Sequence, residues 1–539
     1  MSVARSSLIM ASGTVVSRIL GLVRTVMLAA AIGITTNEAD AFGVANQLPN
    51  NVYAIIVGGL LNAVLVPQIV RAKVRKDGGK GYIDGLLTVI ISVFALITLV
   101  ATLLAPFLVR LYTSGWDDAT LALATAFAYW CLPQLFFYGL YSILGEVLNA
   151  RSSFGPFMWA PVLNNLVAIV GLGIFMASFG DSRTVGAHVW AADSISLLAG
   201  SATLGVASQA LILFFFWKRI GLRFTFNFKL RGLGLRPALK AASWTLAMLV
   251  ITQIGGLIQT NLTSTTLSER NNLTGVASVA VAGTAWLIFM IPHSVGTVSI
   301  ATAYFTRMSE HAHAKKFDAL KTDVVKALRS ILALSAIATS VMIVLSFPIA
   351  NVFAHAWQPA AALGTVLAAM MVGLIPFSIN FMLQRVFYAL EDTKSPFVFT
   401  TIQILVFVAG AYTCAASVPA AQLVAAVSLV MSLSFVVQAA LAYALLRKRI
   451  GSLGESHLVR YGLQVGAAAV LAGAAGASLI WALGGIDADS LSMDGGFTSL
   501  FVCVIVVGVS VLVYLATLWL TKNGEVRTAL SSLKGILRR

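Results

Sequence analysis

Charged residues are scarce in this sequence. Asp, Glu, Lys and Arg together make up 10% of its 539 residues, whereas soluble domains carry about 25%. Cysteine is nearly absent, and Cys131, Cys414 and Cys503 lie in apolar stretches without metal-binding or disulfide spacing. The composition therefore excludes a soluble globular fold, and the cysteines indicate neither a disulfide framework nor a metal site.

Long apolar segments fill the chain instead. Hydrophobic residues reach 59%, and a helix needs about 20 apolar residues to cross the hydrocarbon core of a bilayer. We therefore predict an all-α polytopic membrane protein with about 14 transmembrane helices. The predicted spans are 8–33, 41–70, 84–113, 119–150, 156–180, 193–217, 237–262, 274–305, 325–354, 359–390, 395–417, 419–446, 458–484 and 496–521.

Basic residues fall almost entirely in alternate loops. The loops after even-numbered spans hold clusters at 71–80, 218–240, 315–321 and 447–449, whereas the opposite loops hold mainly acidic residues. This pattern is typical of cytoplasmic loops, and it predicts that both termini are cytoplasmic. The formal net charge of +16 thus reflects membrane topology, and we expect no nucleic-acid partner.

Two stretches of the sequence resemble each other. "LPQLFFYGLYSILGEVLNARSSFGPF" (132–157) and "IPFSINFMLQRVFYALEDTKSPF" (375–397) each begin with a proline-led span and end in a polar turn followed by Pro-Phe. Pro133 and Pro376 are 243 positions apart, as are Pro49 and Pro292. This spacing predicts parallel six-helix halves about an axis along the membrane normal, which commonly encloses a transport path. Chance similarity between apolar helices is the alternative.

Two arginines interrupt the first span. Arg18 and Arg24 lie within "SRILGLVR" (17–24) and project roughly 120° apart on an ideal helix. An arginine at the membrane centre costs about 2.5–3.5 kcal/mol on insertion scales. Because guanidinium donates paired hydrogen bonds to phosphate oxygens, we interpret both residues as ligands for an anionic group. A buried ion pair, or bonds to carbonyl groups inside the bundle, is the alternative.

The same stretch resembles a known signature. "SRILGLVR", "DAFGVANQLPN" (40–50) followed by Val-Pro at 66–67, and "QRVFYALEDTKSP" (384–396) are similar, in order and spacing, to the MurJ (MviN) lipid II flippases of the MOP exporter superfamily. The resemblance runs along the whole chain. It implies two six-helix lobes, related by a pseudo-two-fold axis around a cationic cavity, and two extra C-terminal helices that form a groove.

The resemblance also implies a function and a domain organisation. The expected activity is translocation of the undecaprenyl-diphosphate-linked peptidoglycan precursor, lipid II, from the inner to the outer leaflet of the bacterial cytoplasmic membrane by alternating access. The expected parts are an N-lobe (1–220), a C-lobe (221–450), groove helices (451–521) and a short basic cytoplasmic tail (522–539). Lipid II and membrane lipids are the expected partners, and cell-wall synthesis proteins are left open. We expect no enzyme activity, cofactor or metal.

Six residues form the predicted substrate-binding site: Arg18, Arg24, Asp40, Asn50, Tyr53 and Arg385. The two arginines of the first span match the family motif directly. Tyr53 stands where the better-studied members carry an arginine, and the arginine that many members have before Pro292 is also missing. The cationic cluster that the resemblance implies is therefore smaller in this chain.

The other predicted site residues each have a structural alternative. Asp40 either caps the second span, whose N-terminus favours an anion, or acts in function. Asn50 either satisfies carbonyl groups freed by Pro49 or lines the cavity. Arg385 is either a functional charge or a side chain that extends towards the cytoplasmic interface. His293 either titrates during transport or is a packing residue.

Rival functions make different demands on the sequence. A drug or cation antiporter of the same superfamily would need carboxylates in the cavity, where this chain offers arginines. A glycosyltransferase or polymerase would need catalytic carboxylates and usually a large outer loop, and the outer loops here are short. A flippase for another polyprenyl-diphosphate-linked oligosaccharide and a non-transporting scaffold remain open.

Overall fold

The computed structural model describes residues 3–56, 80–151, 153–180, 186–219, 224–228, 235–270, 275–354 and 356–521. These ranges are helical with short connections and contain no β-strand. Several predicted features lie outside the described residues: the second part of the span 41–70 with Val-Pro at 66–67, the basic cluster at 71–79, and the basic tail 522–539.

The chain divides into two compact units, and the first is Met1–Ser268. In this unit α7 packs against both α1 and α8, α2 packs against α5, and α9 contacts α2 and α4. The helices are α1 (Val3–Ile32), α2 (Asn37–Ile56), α3 (Lys80–Leu103), α4 (Ala105–Tyr112), α5 (Asp118–Cys131), α6 (Gln134–Ala150), α7 (Phe154–Phe179), α8 (Ala192–Arg219) and α9 (Leu235–Ser264).

The second unit is Glu269–Arg539. Here α16 packs against α17, α18 packs against α12, and α19 packs against α18 and α13. A π-helical turn, His293–Thr297, joins α10 to α11. The helices are α10 (Val279–Pro292), α11 (Val298–His313), α12 (Phe317–Val344), α13 (Ser346–Ala354), α14 (Trp357–Met371), α15 (Leu374–Ala389), α16 (Lys394–Ser417), α17 (Ala420–Ile450), α18 (Glu455–Ala482) and α19 (Gly495–Leu520).

The membrane spans agree with the predicted fold class. Twelve helical segments among the described residues are long and apolar enough to cross a membrane. The pair α14 and α15, bent by 45° at its break, makes a thirteenth. The predicted span 41–70 is described only to Ile56, where α2 reaches the end of a described range. An all-α polytopic fold with about 14 spans is confirmed.

Broken helices occur in the same order in both units. In the first unit, α3 and α4 are separated at Leu104, and α5 and α6 are separated just before Gln134. In the second unit, α12 and α13 are separated at Leu345, and α14 and α15 just before Leu374. Proline has no N–H to donate, so it fits the start of a helix better than its interior. Pro133 and Pro376 therefore help to set corresponding breaks, as the repeat predicts.

In each unit, one contact joins two connections between helices that are distant in the sequence. In the first unit, the indole of Trp116, in the turn after α4, donates to the carbonyl of Ser264 at the end of α9 (3.1 Å). In the second, Arg449 at the end of α17 pairs with Asp392 after α15 (3.1 Å). The turn after the third span thus meets the end of the seventh, and the turn after the tenth span meets the end of the twelfth. Both contacts agree with alternate membrane crossings.

Helix α9 packs against α2 and α4. The sequence assigns α9 to the C-lobe, which begins at residue 221, and the compact unit that contains α9 ends at Ser268. The amide of Gln253 donates to the carbonyl of Asn51 (2.9 Å), which joins α9 to α2. The predicted lobe boundaries at 220 and 450 refer to the sequence repeat and stay a prediction.

Candidate functional site

Arg24 lies against a small cavity inside the first unit. The cavity has a volume of about 60 Å³, so it has room for a few waters and not for a sugar diphosphate. It is lined by residues from five helices: Arg24 and Leu28 of α1, Phe42 and Asn46 of α2, Gln134 and Tyr138 of α6, Ala168 and Leu172 of α7, and Leu198, Ser201, Ala202 and Val206 of α8. The polar members of this set offset the cost of placing a guanidinium in the span.

Gln134 is the centre of the polar cluster beside Arg24. Its side-chain amide donates to Oδ1 of Asn46 (3.2 Å) and to Oγ1 of Thr203 (3.1 Å). Its carbonyl oxygen accepts from the hydroxyl of Tyr138 (3.2 Å). The residue is only 1% exposed, and a buried amide in an apolar span is stable only when it is hydrogen-bonded. The cluster thus connects α2, α6 and α8 around the cavity.

Tyr138 links the predicted residue Tyr53 to Arg24. The rings of Tyr53 and Tyr138 have centroids 5.4 Å apart and are tilted by 45°. Tyr138 also lines the same cavity as Arg24. The structure therefore brings Arg24 and Tyr53 to the same cluster, with one side chain between them.

Arg18 lies in a different environment from Arg24. Its side chain is exposed, and the cavity beside Arg24 does not include it. The amide of Asn165 on α7 donates to the carbonyl (2.8 Å) and to the hydroxyl oxygen (3.3 Å) of Ser17, the preceding residue. The backbone that carries Arg18 is therefore attached to α7.

The structure assigns the cap of α2 to Thr36. The Thr36 hydroxyl oxygen accepts from the N–H of Ala39 (3.1 Å), which is the usual N-cap bond. Asp40 lies in the first turn of the helix and is 0% exposed. It is therefore not the capping residue, and its side chain is buried.

Asn50 is exposed and directly follows the buried Pro49 within α2. The next residue, Asn51, donates its amide to the hydroxyl of Tyr112 (3.1 Å) at the end of α4. The stretch after Pro49 is thus connected to α4 through Asn51, while the side chain of Asn50 reaches the surface of the unit.

Arg385 belongs to the second unit. Its guanidinium carbon lies 5.0 Å from the ring centroid of Phe381 and 5.5 Å from that of Phe305, within range of a cation–π interaction. His293, in the π-helical turn, is buried, and its Nδ1 lies 3.2 Å from the hydroxyl of Ser378. The Phe377 ring centroid is 4.6 Å away, so this histidine has the surroundings of a packed, hydrogen-bonded side chain.

Sequence reasoning missed the neutral polar residues of this site. Asn46, Gln134, Tyr138 and Asn165 all lie inside apolar spans. Gln134 follows Pro133 directly, and Tyr138 is four positions further, on the same helix face. A polar pair with that spacing, at the start of a proline-led span, was the signal available. Among the described residues, no group of three or more His, Cys, Asp or Glu is placed to hold a metal ion.

Comparison with known proteins places these features in context. Residues 28–485 match the family model for "Lipid II flippase MurJ". A "Probable lipid II flippase MurJ" of Rhizobium meliloti is 27% identical over 425 residues, which cover 77% of this chain and 75% of the relative. The "Lipid II flippase MurJ" of Burkholderia cenocepacia is 30% identical over 181 residues, 33% of this chain and 35% of that protein.

Solved structures resemble the whole fold. A structure titled "Lipid II flippase MurJ, inward closed conformation" has a TM-score of 0.71 and 20% identity, and the match covers 95% of this chain and 98% of that one. An inward-facing multidrug resistance MATE family transporter of the MOP superfamily has a TM-score of 0.59 and 18% identity, with 81% and 99% covered. At these identities the likeness shows the fold.

Proposed function

The chain belongs to the lipid II flippase MurJ family, and we propose that it moves lipid II from the inner to the outer leaflet of the cytoplasmic membrane by alternating access. The observation that carries this proposal is the family match along residues 28–485, on a chain whose fold is that of MOP-superfamily transporters. The proposed role is transport of an undecaprenyl-diphosphate-linked precursor without catalysis. Cell-wall synthesis proteins are its proposed neighbours in the membrane.

Arg18 and Arg24 are the proposed ligands for the diphosphate. A guanidinium remains charged in the membrane and matches phosphate oxygens with two parallel N–H donors. The side chain of Arg18 is exposed, so a headgroup can approach it from the surface of the unit. Arg24 lies beside a cavity of about 60 Å³, so a headgroup reaches it only when α1 or its neighbours move, as alternating access requires.

Tyr53 and Asn50 supply the neutral part of the proposed site on α2. Tyr53 adds a hydroxyl and an aromatic face beside Tyr138, where an arginine stands in better-studied members. Neutral donors of this kind suit sugar hydroxyl groups, which carry no charge. Asp40 is proposed to complement the cationic residues from inside the first unit, and Arg385 to act in the second unit. The helices α18 and α19 are proposed to hold the polyprenyl tail.

The proposed location is the bacterial cytoplasmic membrane, with both termini in the cytoplasm. The distribution of Lys and Arg supports this orientation. The contact between Thr225 and Asp84 also supports it, because the connection after α8 and the start of α3 then lie on one side. Both are basic-loop regions in the sequence.

A flippase for a different polyprenyl-diphosphate-linked oligosaccharide is the second candidate. Tyr53 favours it, since one fewer arginine leaves a less cationic site than the resemblance implies. A non-transporting scaffold is the third. The three candidates differ in whether lipid II itself crosses the membrane.

A complementation experiment in a bacterium tests the proposal. The native flippase is depleted, and wild type, Arg18→Ala or Arg24→Ala is expressed. The readout is the fraction of lipid II cleaved by an extracellular enzyme that acts only on outward-facing headgroups. We expect wild type to restore the cleaved fraction and both alanine variants to lose most of it.

Arg110→Ala is the matched control, because Arg110 is an exposed arginine near the end of α4, outside the proposed site. It should restore cleavage as wild type does. If wild type inserts and folds but restores nothing, lipid II transport is wrong. If both site variants restore full cleavage at equal expression, transport stands and the arginine assignment is wrong.

A further inference from the structure

A short extended segment between α8 and α9 alternates aromatic and polar residues. Residues 224–228 read Phe-Thr-Phe-Asn-Phe, and side chains of an extended chain point to opposite faces in turn. One face carries Thr225 and Asn227, and the other carries the three phenylalanines. This alternation gives the segment a polar side and an apolar side.

The polar side is attached to the first turns of α3. The Thr225 hydroxyl donates to Oδ2 of Asp84 (2.7 Å). The main-chain N–H of Asn227 donates to the Thr88 hydroxyl oxygen (2.9 Å), and its side-chain amide donates to the carbonyl of Gly81 (2.9 Å). Three hydrogen bonds over three residues fix the orientation of the segment.

The apolar side faces away from the protein. Phe226 is 67% exposed and Phe228 is 70% exposed. Their rings stack with centroids 6.4 Å apart at 10°, and the Phe224 ring lies 4.9 Å from that of Phe226. A contiguous exposed aromatic surface on a fixed segment usually marks an interaction site.

The position of the segment and the charge of the sequence around it indicate its partner. It bonds to Asp84, the first residue of a membrane span, and therefore lies where α3 enters the bilayer. Residues 218–240 contain seven Lys and Arg and no Asp or Glu. Aromatic rings concentrate at the headgroup level of membranes, and basic clusters are attracted to anionic lipids of the cytoplasmic leaflet.

We propose that the segment 224–228 is an interfacial anchor, in which Phe226 and Phe228 insert among lipids of the cytoplasmic leaflet while the adjoining basic residues select anionic headgroups. The anchor acts on lipids of the surrounding bilayer and is separate from the transported substrate. It fixes the connection between α8 and α9 at the membrane surface.

Spin-label depth measurement tests this proposal on the full chain. The three native cysteines are replaced, and nitroxide labels are placed through Phe226→Cys, Phe228→Cys and the control Glu391→Cys. Glu391 is exposed in the turn after α15, on the side proposed to be cytoplasmic. Each protein is reconstituted in phosphatidylcholine vesicles with and without phosphatidylglycerol, and collisions with oxygen and with a nickel chelate are compared.

The anchor predicts that labels at 226 and 228 collide more with oxygen than with the nickel chelate, whereas the label at 391 does the reverse. Phosphatidylglycerol should move both anchor labels deeper. Nickel accessibility equal to that at 391 overturns insertion, and equal depth in the two vesicle types overturns selection of anionic lipid. Shielding from both reagents also overturns the proposal, because it indicates that protein covers the surface.

A pair of substitutions provides an independent check without labels. Phe226→Ser with Phe228→Ser removes the inserted rings but keeps the three hydrogen bonds to α3. We expect wild type to have a higher unfolding temperature in vesicles with phosphatidylglycerol than without it, and the double variant to lose this difference. An unchanged difference in the double variant contradicts the proposal.

Discussion

The side-chain amide of Asn165 donates a hydrogen bond of 2.8 Å to the main-chain carbonyl of Ser17. The two residues are 148 positions apart, and the bond joins α7 to α1 directly before Arg18. A Cβ on Gly21, one turn along α1, would lie 3.7 Å from the same amide nitrogen. The backbone between the two arginines thus lies against Asn165.

Removing this bond should loosen α1. Asn165→Ala deletes the donor, and interhelical hydrogen bonds in membrane proteins contribute about 0.6 kcal/mol on average and about 1.7 at most. We expect a loss of stability in that range, measured by unfolding in mixed micelles, together with a reduced flipping rate. Asn164→Ala is the control, because it deletes the same atoms from a neighbour whose buried Oδ1 accepts no hydrogen bond. A larger flipping loss in the control would contradict the role given to Asn165.

The Tyr138 hydroxyl should matter for transport more than for folding. Tyr138→Phe keeps the ring beside Tyr53 but removes the donor to Gln134, which is worth about 1 kcal/mol. If the cluster positions Arg24, flipping in proteoliposomes should fall about fivefold. Tyr141→Phe is the control, since Tyr141 lies on the same helix and bonds the carbonyl of Phe157 (2.9 Å) away from the cavity. If the two variants reduced flipping equally, the Tyr138 hydroxyl would have no specific role in positioning Arg24.

Close packing between α6 and α3 predicts a strong effect at Gly139. A Cβ there would lie 2.5 Å from the ring of the buried Phe94. Because overpacking costs about 1–3 kcal/mol, Gly139→Ala should lower the free energy of unfolding by that amount. Gly173→Ala, on α7, meets nothing within 4 Å and should leave stability unchanged or slightly higher. Unfolding curves of the two variants and wild type, measured under one condition, test this difference in stability. Equal stability of the two variants would contradict close packing at Gly139.

The N-cap of α5 predicts a dependence on pH. Oδ2 of Asp117 accepts from the N–H of Thr120 (3.2 Å) and Oδ1 from its hydroxyl (2.6 Å). Partial burial raises the pKa of Asp117, but these hydrogen bonds lower it more. The pKa of Asp117 therefore lies below its ordinary value. The stabilisation is therefore complete above the ordinary aspartate pKa and is lost as the pH falls through the lowered value.

Asp117→Ala should lower stability at neutral pH by about 1 kcal/mol, the usual worth of an N-cap. The difference from wild type should shrink when the pH falls below about 4. Asp118→Ala removes a carboxylate from the next position, in the first helical turn, and should have a smaller effect. Thermal unfolding of the three proteins across this pH range tests the prediction. A difference that persists at the lowest pH would show that the carboxylate is not responsible.

Hydropathy alone was sufficient to predict the spans. Thirteen of the fourteen predicted spans correspond to helical segments that are long and apolar enough to cross a membrane, and the remaining span runs beyond the described range. The repeat predicted from Pro133 and Pro376 appears as corresponding breaks before α6 and α15. These features depend on local composition and on the missing N–H of proline, so they can be read from neighbouring residues.

The sequence did not predict which residues the site residues contact, because those contacts depend on how the helices pack. The sequence identified Arg24 and Tyr53 but not Tyr138 between them, nor the bonds of Gln134 to Asn46 and Thr203. It also did not identify the contacts of α9 with α2 and α4. Hydropathy distinguishes apolar from polar segments, but it does not specify which polar side chains meet.

The sequence by itself determined that this chain is a helical membrane protein, that it has about 14 spans, and which family it resembles. Each of these follows from composition or from short motifs. The tertiary structure decided that Arg24 shares a polar cluster with Tyr138 while Arg18 is exposed, because the environment of a charge depends on helices that are distant in the sequence. It also decided that Phe226 and Phe228 face outward, since Thr225 and Asn227 bond to α3.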